Sequence, residues 1–294
     1  MEEQHKAGFV SIVGNPNVGK STLMNALIGE RLSIITNKAQ TTRHRIMGIV
    51  NGENFQIVYS DTPGALTPNY KMQEYMMKYV ETALSDSDII LYMVECGETV
   101  CNEKVAASCT QSETPVILII NKIDTVSQEE LVASCLHWEN LLRPAKTCCI
   151  SALRGDNLEE LLPAIVDLLP LSPPYFPKDE LTDRPMRFFV SEIIREKVLL
   201  QFKKEIPYSV EIVVENYKEN GKMTHIDATI YVERESQKAI MLGHKGNAIK
   251  ELGTQARLAI EEFIGQKVFL SLSIKVQKDW RNDDNRLKNF GYGM

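Results

Sequence analysis

Residues 8–21, Gly8-Phe-Val-Ser-Ile-Val-Gly-Asn-Pro-Asn-Val-Gly-Lys-Ser21, decide the fold of the first half of the chain. Gly8 to Val13 reads as a buried strand, and Thr22 to Ile28 reads as a helix. Between them, Gly14 to Ser21 is a complete phosphate-binding loop. Its glycines leave room for backbone N–H groups to converge on one concavity, where the helix N-terminus adds partial positive charge. Lys20 is expected to reach the β- and γ-phosphates, and the Ser21 hydroxyl to hold Mg²⁺. The candidate phosphate contacts are therefore Asn15, Pro16, Asn17, Val18, Gly19, Lys20, Ser21 and Thr22.

A second motif says which nucleotide. Asn121-Lys122-Ile123-Asp124 follows the apolar run 115–120, which reads as a strand of a parallel sheet buried on both faces. Ligands of open α/β sheets bind at the C-terminal ends of such strands. Guanine presents N1–H and N2–H₂ side by side, and the Asp124 carboxylate can accept both. Adenine would leave that carboxylate desolvated and unpaired. Asn121 is expected to brace the loop and the purine edge, and the Lys122 stem to cover one face of the base. A further loop, Ser151-Ala152-Leu153, follows the strand 146–150 and offers backbone N–H groups to guanine O6.

The third element is Asp61-Thr62-Pro63-Gly64, after the apolar strand 55–60. Asp61 can hold Mg²⁺ through a water, and the Gly64 N–H can bond the γ-phosphate, so that its position differs between triphosphate and diphosphate states. Thr41-Thr42-Arg43 lies in the polar stretch before the strand 46–50. One threonine, assigned as Thr42, completes the Mg²⁺ shell.

These boxes, together with Lys-Ala-Gln-Thr-Thr-Arg-His-Arg at 38–45, resemble those of the translation-factor-related class of GTPases and, within it, the Era family. The resemblance covers essentially the whole chain. It implies a bacterial GTPase of small ribosomal subunit (30S) assembly that binds 16S ribosomal RNA near its 3′ end, uses GTP/GDP and Mg²⁺, and acts as a monomer. Such proteins are cytoplasmic, with some peripheral association at the inner membrane. In related GTPases an Asn in the phosphate loop lets K⁺ take the place of an arginine finger, and Asn17 occupies that position. Many GTPases place a Gln after the Asp-x-x-Gly glycine to orient water; here Ala65 and then Leu66 stand there. Turnover is therefore expected to be slow, with Lys20, Thr42, Gly64 and Asn17 carrying the chemistry.

Composition agrees. The 294 residues suffice for one large or two ordinary domains, and no stretch of 18 or more apolar residues occurs. The opening residues Met1 to Lys6 are polar and do not read as a signal peptide. The six cysteines lack a Cys-x-x-Cys pair, so structural thiols in a reducing cytoplasm are expected, a zinc site being the alternative. Charge is split: residues 1–180 hold 14 Lys+Arg and 23 Asp+Glu, a net of −9, whereas residues 181–294 hold 19 and 16, a net of +3. An acidic half joined to a mildly basic one suggests that the second half meets a polyanion.

The first half alternates strands (8–14, 46–50, 54–60, 88–95, 115–121, 146–150) with helices. This predicts an α/β, doubly wound mixed sheet, mostly parallel, with 46–50 and 54–60 joined at Asn51-Gly52 as an antiparallel hairpin. The expected domains are 1–170, a proline-rich semi-rigid linker at 171–184, and 185–294. The second half reads helix (187–202), strand (208–217), strand (223–234), short helix (236–242), long helix (247–264) and strand (267–277). Gly243-His244-Lys245-Gly246 sits between the two adjacent helices. In RNA-binding KH domains such a turn clamps about four nucleotides. The order resembles the α+β type II KH fold, with Gly243, His244, Lys245, Gly246 and Lys250 as candidate RNA contacts.

Some residues keep two readings. His44 and Arg45 could touch phosphate or RNA, or lie in a solvated loop. Trp280 and Arg281 could stack on bases, or pack the charged tail onto the KH domain. Met72, Met76 and Met77 read as core or switch packing. The functional alternative to an assembly GTPase is an RNA chaperone in which GTP is a conformational clamp with negligible turnover. A GTPase acting on transfer RNA or membranes is a third reading; the transfer-RNA version is opposed by the lack of a modification-type catalytic cluster.

Overall fold

The computed structural model describes residues 5–293, so the first four residues of the polar start lie outside the described residues. The chain divides into two compact units. One comprises the chain up to Asn69 with Gln73–Asp183, the other Tyr70–Met72 with the chain from Arg184 onward.

The first unit runs β1 (Lys6–Val13), α1 (Lys20–Ile28), β2 (Ile46–Asn51), β3 (Phe55–Asp61), α2 (Lys71–Ser85), β4 (Ile89–Glu95), α3 (Glu103–Gln111), β5 (Val116–Asn121), α4 (Gln128–Leu142), β6 (Lys146–Cys149) and α5 (Leu161–Leu168). Its strands form one sheet in the order β2-β3-β1-β4-β5-β6. The β2–β3 pair is antiparallel and every other neighbouring pair is parallel. Apolar runs such as Val116–Ile120 suit strands covered on both faces, and all of β5 is buried. The order places β1 between β3 and β4, where the winding direction reverses. The loop after β1 therefore opens at the topological switch point, with the ends of β3, β5 and β6 along the same sheet edge.

The residues expected to form a linker behave differently. Gln56, fully buried, accepts from Tyr175 N (2.7 Å) and Phe176 N (3.0 Å) and donates to Phe176 O (2.8 Å). Tyr175 packs on Phe9 with ring centroids 4.9 Å apart. Further on, Ile49 N donates to Leu181 O (2.8 Å) and Thr182 Oγ1 to Met47 O (2.7 Å). Residues 173–182, within the semi-rigid linker expected at 171–184, are thus a strap that pairs with edge strand β2 and covers part of its open hydrogen-bonding groups.

The second unit contains α6 (Met186–Gln201), α7 (Ile206–Ser209), β7 (Glu211–Asn220), β8 (Met223–Val232), α8 (Glu235–Leu242), α9 (Asn247–Ile264), β9 (Lys267–Val276) and α10 (Asp284–Asn289). Its sheet has the order β7-β8-β9, with β7–β8 antiparallel and β8–β9 parallel. Helix α9 buries Leu252, Ala256 and Ile260, one residue per turn along a single face. They meet Val190, Ile194 and Val198 of α6 and Ile226 and Ile230 of β8 in one core. The strand expected at 208 begins only at Glu211, because Pro207 starts the one-turn helix α7 instead.

The tail resolves to the packing reading. Trp280 is fully buried, and its Nε1 donates to Ser209 O at 3.1 Å. Its ring meets Phe290 edge-on at 5.5 Å, Arg281 pairs with Glu233, and Tyr292 OH donates to Glu211 Oε2 at 2.7 Å. Trp280 therefore has no free face for a base. Met72 and Met76 are fully buried, and Met77 packs on the core under β4 and β5.

Candidate functional site

The loop after β1 is shaped by backbone that few residues adopt. Asn17 has φ 66° and Gly19 φ 108°. Asn is among the side chains that tolerate the left-handed region. Gly19 has a further reason. A Cβ there would lie 2.3 Å from Asn121 Nδ2, which donates to Val18 O at 2.7 Å. The same Asn121 accepts from Ala152 N at 2.9 Å through its Oδ1. One buried amide thus ties the phosphate loop, the end of β5 and the Ser151-Ala152 loop together. This corrects part of the expectation for that loop: the Ala152 N–H is spent on Asn121, while Ser151 and Leu153 line the cavity.

That cavity has a volume of about 400 Å³. Its wall contains Pro16, Asn17, Gly19, Lys20, Ser21, Thr22, Thr42, Gly64, Asn121, Lys122, Asp124, Ser151 and Leu153 from the expected set. Asn15, Val18, Asp61, Thr62, Pro63 and Ala152 are not among the residues that line it. Thr62 Oγ1 is buried and donates to Ile12 O at 2.7 Å, so its hydroxyl anchors β3 to β1 rather than facing a ligand. Gly64 approaches the phosphate loop closely, since a Cβ there would sit 2.7 Å from Pro16 Cα. The next residue continues the contact, with Ala65 N donating to Gly14 O at 3.0 Å.

A polar cluster closes one end. Ser21 Oγ donates to Asp61 Oδ2 at 2.7 Å and lies 2.9 Å from Thr42 Oγ1, which reaches the same carboxylate oxygen at 3.4 Å. Asp61 is fully buried, and its Oδ1 has no hydrogen-bond partner. Burial pushes the Asp61 carboxyl above the usual carboxylate range, against the pull of Ser21, Lys20, Ser33 and Thr42. An oxygen-only cluster with an unsatisfied buried carboxylate oxygen suits a hard divalent cation held directly and through water.

Lys20 is buried and donates to Gly14 O (3.1 Å) and Asn15 O (2.8 Å). Burial lowers its pKa to about 8, although Asp61 and Glu98 favour the charged form. A phosphate docked against it would keep the proton on. Binding would then take up a proton wherever the free protein has lost one, so affinity holds below pH 8 and falls above it. Nucleotide affinity is expected to be about tenfold weaker at pH 9 than at pH 7, as a pH series of fluorescent-GDP titrations would show.

Sequence reasoning missed Ile34 to Asn37 on the far wall of the cavity, whereas Lys38, Gln40 and Thr41 beside them belong to the 38–45 box. The missed part was marked only by the length of the polar stretch between α1 and β2. That stretch also corrects the two readings of His44 and Arg45. Both are buried: His44 stacks near Tyr79 at 6.0 Å, and Arg45 grips Asp86 through two bonds of 2.6 and 2.9 Å. They anchor the end of the loop and are neither solvated nor presented to a ligand.

In the second unit, the turn between α8 and α9 has positive φ at Gly243 (69°), Lys245 (51°) and Gly246 (79°). A Cβ on Gly243 would lie 2.7 Å from Ala248 Cβ, whereas Gly246 faces open space. His244, Lys245 and Lys250 are exposed. Beside the turn runs a groove of about 340 Å³ between α9 and β9, lined by Ile249, Lys250, Gly253, Thr254, Arg257, Leu270 and Leu272. Apart from Lys250 the sequence did not single these residues out, because their shared surface exists only once β9 pairs beside the helix.

Comparison with known proteins matches both units. A family model described as 50S ribosome-binding GTPase covers residues 9–122, and a KH domain model covers residues 205–281. The chain is 44% identical to GTPase Era of Carboxydothermus hydrogenoformans over 98% of each chain. A crystal structure of an Aquifex aeolicus Era variant bound to GDP and AlF4⁻ is 36% identical, covers 98% of this chain and 100% of that chain, and has a TM-score of 0.92. A structure of Era in complex with MgGDPNP and nucleotides 1506–1542 of 16S ribosomal RNA is likewise 36% identical, covering 99% and 100% of the two chains with a TM-score of 0.93.

Proposed function

The chain belongs to the Era family of GTPases, and from that premise we propose that it couples GTP binding and hydrolysis to assembly of the 30S ribosomal subunit, gripping 16S ribosomal RNA near its 3′ end. The observation that carries this reading is the pairing, in one chain, of a complete guanine-nucleotide cavity with an open Gly-x-x-Gly turn and its neighbouring groove. The GTPase model's description names the large subunit but covers only residues 9–122. The full-length relative was solved with the small-subunit RNA.

GTP is held by the phosphate loop through Lys20, with Asp124 on the guanine edge and Lys122 over the base. Ser21 and Thr42 would hold Mg²⁺ directly and Asp61 through a water, and such an ion would supply charge neutralisation at the transferring phosphoryl group. Gly64 N–H would meet the γ-phosphate, so the 61–66 segment differs between the two nucleotide states. His244, Lys245 and Lys250 meet RNA phosphates, and the α9–β9 groove takes the bases. The protein works in the cytoplasm as a monomer, with peripheral contact at the inner membrane face. No helix among the described residues is long and apolar enough to cross a membrane.

Ala65 is buried and carries no hydrogen-bonding side chain to orient water, which supports slow intrinsic turnover. It also favours the second reading, an RNA chaperone with GTP as a clamp. A K⁺ ion standing in for an arginine finger would act through Asn17, which lines the cavity. One experiment separates these readings: GTP affinity and turnover in KCl and in NaCl, with and without an RNA of the 16S 3′ end. Turnover is expected to rise several-fold in K⁺ and with RNA, and RNA to bind more tightly in the GTP state. Equal turnover in the two salts removes the potassium role. Negligible turnover in every condition, with RNA and GTP still coupled, selects the clamp.

A further inference from the structure

The loop between β4 and α3 belongs to neither the phosphate loop nor the guanine loop, yet it holds both. On the phosphate side, Asn15 Nδ2 donates to Glu98 Oε1 at 2.6 Å and to Val100 O at 2.7 Å. The carbonyl of the same Asn15 accepts from Lys20 Nζ at 2.8 Å. On the guanine side, Glu95 Oε2 pairs with Lys122 Nζ at 2.5 Å, and Cys96 N donates to Asn121 O at 3.0 Å. The loop itself is braced from within. Glu98 Oε2 accepts from Glu95 N at 3.2 Å, Glu98 N donates to Glu95 O at 3.0 Å, and the fully buried Trp138 donates its Nε1 to Glu98 O at 2.9 Å.

These bonds form one chain from the residue that meets the phosphates to the residue that covers the base. Lys122 is held in the left-handed region, at φ 64°, a conformation that needs outside support in a lysine. Thr125 holds the backbone, with its N (3.1 Å) and Oγ1 (2.8 Å) donating to Lys122 O, and the Glu95 carboxylate holds the ammonium end. The Asn15 side chain is engaged by Glu98 and Val100 and is not among the groups that line the cavity. The Glu98 carboxylate also lies close enough to Lys20 to favour its charged form.

We propose that Glu98 and Glu95 are positioning residues of the GTPase: Glu98 fixes the phosphate loop through Asn15, Glu95 fixes Lys122 over the guanine, and their short loop sets the spacing of the two arms and hence the rate of nucleotide release. The inference rests on the GTP reading of the cavity.

The test is a cycle of Asn15→Ala, Glu98→Ala and the double variant, read by GDP dissociation and by kcat and KM for GTP. Each single variant is expected to release GDP roughly tenfold faster and to raise KM by a similar factor with kcat within about twofold, because a charge-assisted bond that holds the loop is lost in both nucleotide states. The double variant is expected to be no worse than either single one. Glu98→Gln keeps the shape and an oxygen for Asn15, and is expected to recover most of the affinity. Release within about twofold of wild type in both single variants overturns the proposal, as do additive effects in the double variant or a fall in kcat at unchanged KM. A wild-type protein that fails to bind GDP would instead overturn the nucleotide reading itself.

Discussion

Asp124→Asn is expected to weaken GTP binding by roughly 10³-fold or more, the scale on which a site built to pair polar groups rejects a partner that leaves them unpaired. Asp124 lies on the cavity wall beside Lys122 and Ser151. A carboxylate there accepts from guanine N1–H and N2–H₂ at once. An amide offers one oxygen, and its NH₂ confronts the second donor. Xanthine carries a carbonyl in place of the 2-amino group and so presents one donor and one acceptor, which the amide matches. The same variant should therefore bind xanthosine nucleotides better than wild type does. Parallel titrations with fluorescent GDP and XDP analogues decide it. A change in GDP affinity below tenfold, or no gain for XDP, would show that another group reads the base.

The second large effect belongs to the KH turn. Gly246→Asp is expected to lower affinity for a single-stranded RNA of the 16S 3′ end by about 100-fold, through like-charge repulsion and blocked approach of the phosphate backbone. The position suits the experiment. Gly246 has φ 79°, a region Asp tolerates better than most residues, and an added Cβ meets nothing within 4 Å. Folding should therefore survive, which circular dichroism checks. Lys245→Ala, which removes one exposed charge, should cost less and reduce the salt dependence by about one unit of slope. Unchanged RNA affinity in Gly246→Asp would move the RNA site away from this turn.

Much of this site could be read before folding. Gly14 to Ser21, Asp61 to Gly64 and Asn121 to Asp124 each work as contiguous residues at a strand end, so their chemistry survives in one dimension. The apolar runs between them marked the strands to within a few residues, since a strand buried on both faces needs no partner to be recognised. The long helix read at 247–264 matches α9, Asn247–Ile264, for the same reason: helix signals are local.

What escaped depends on residues far apart in sequence. A proline-rich segment looks like a spacer until Gln56, about 120 positions earlier, is seen to receive its backbone amides. His44 and Arg45 look solvated until Tyr79 and Asp86 cover them. Trp280 keeps both a stacking and a packing reading until Ser209 accepts its N–H. The Asn15 side chain has no visible partner in the sequence until Glu98 accepts from it. Sequence by itself determined the ligand class, the doubly wound first half and the order of the longer elements of the second half, whose KH fold came from resemblance, because periodicity and loop chemistry are short-range properties of the chain. Tertiary structure alone decided which polar side chains face the ligand and which hold the frame, because each buried donor or acceptor must find a partner, and that partner is chosen by three-dimensional packing.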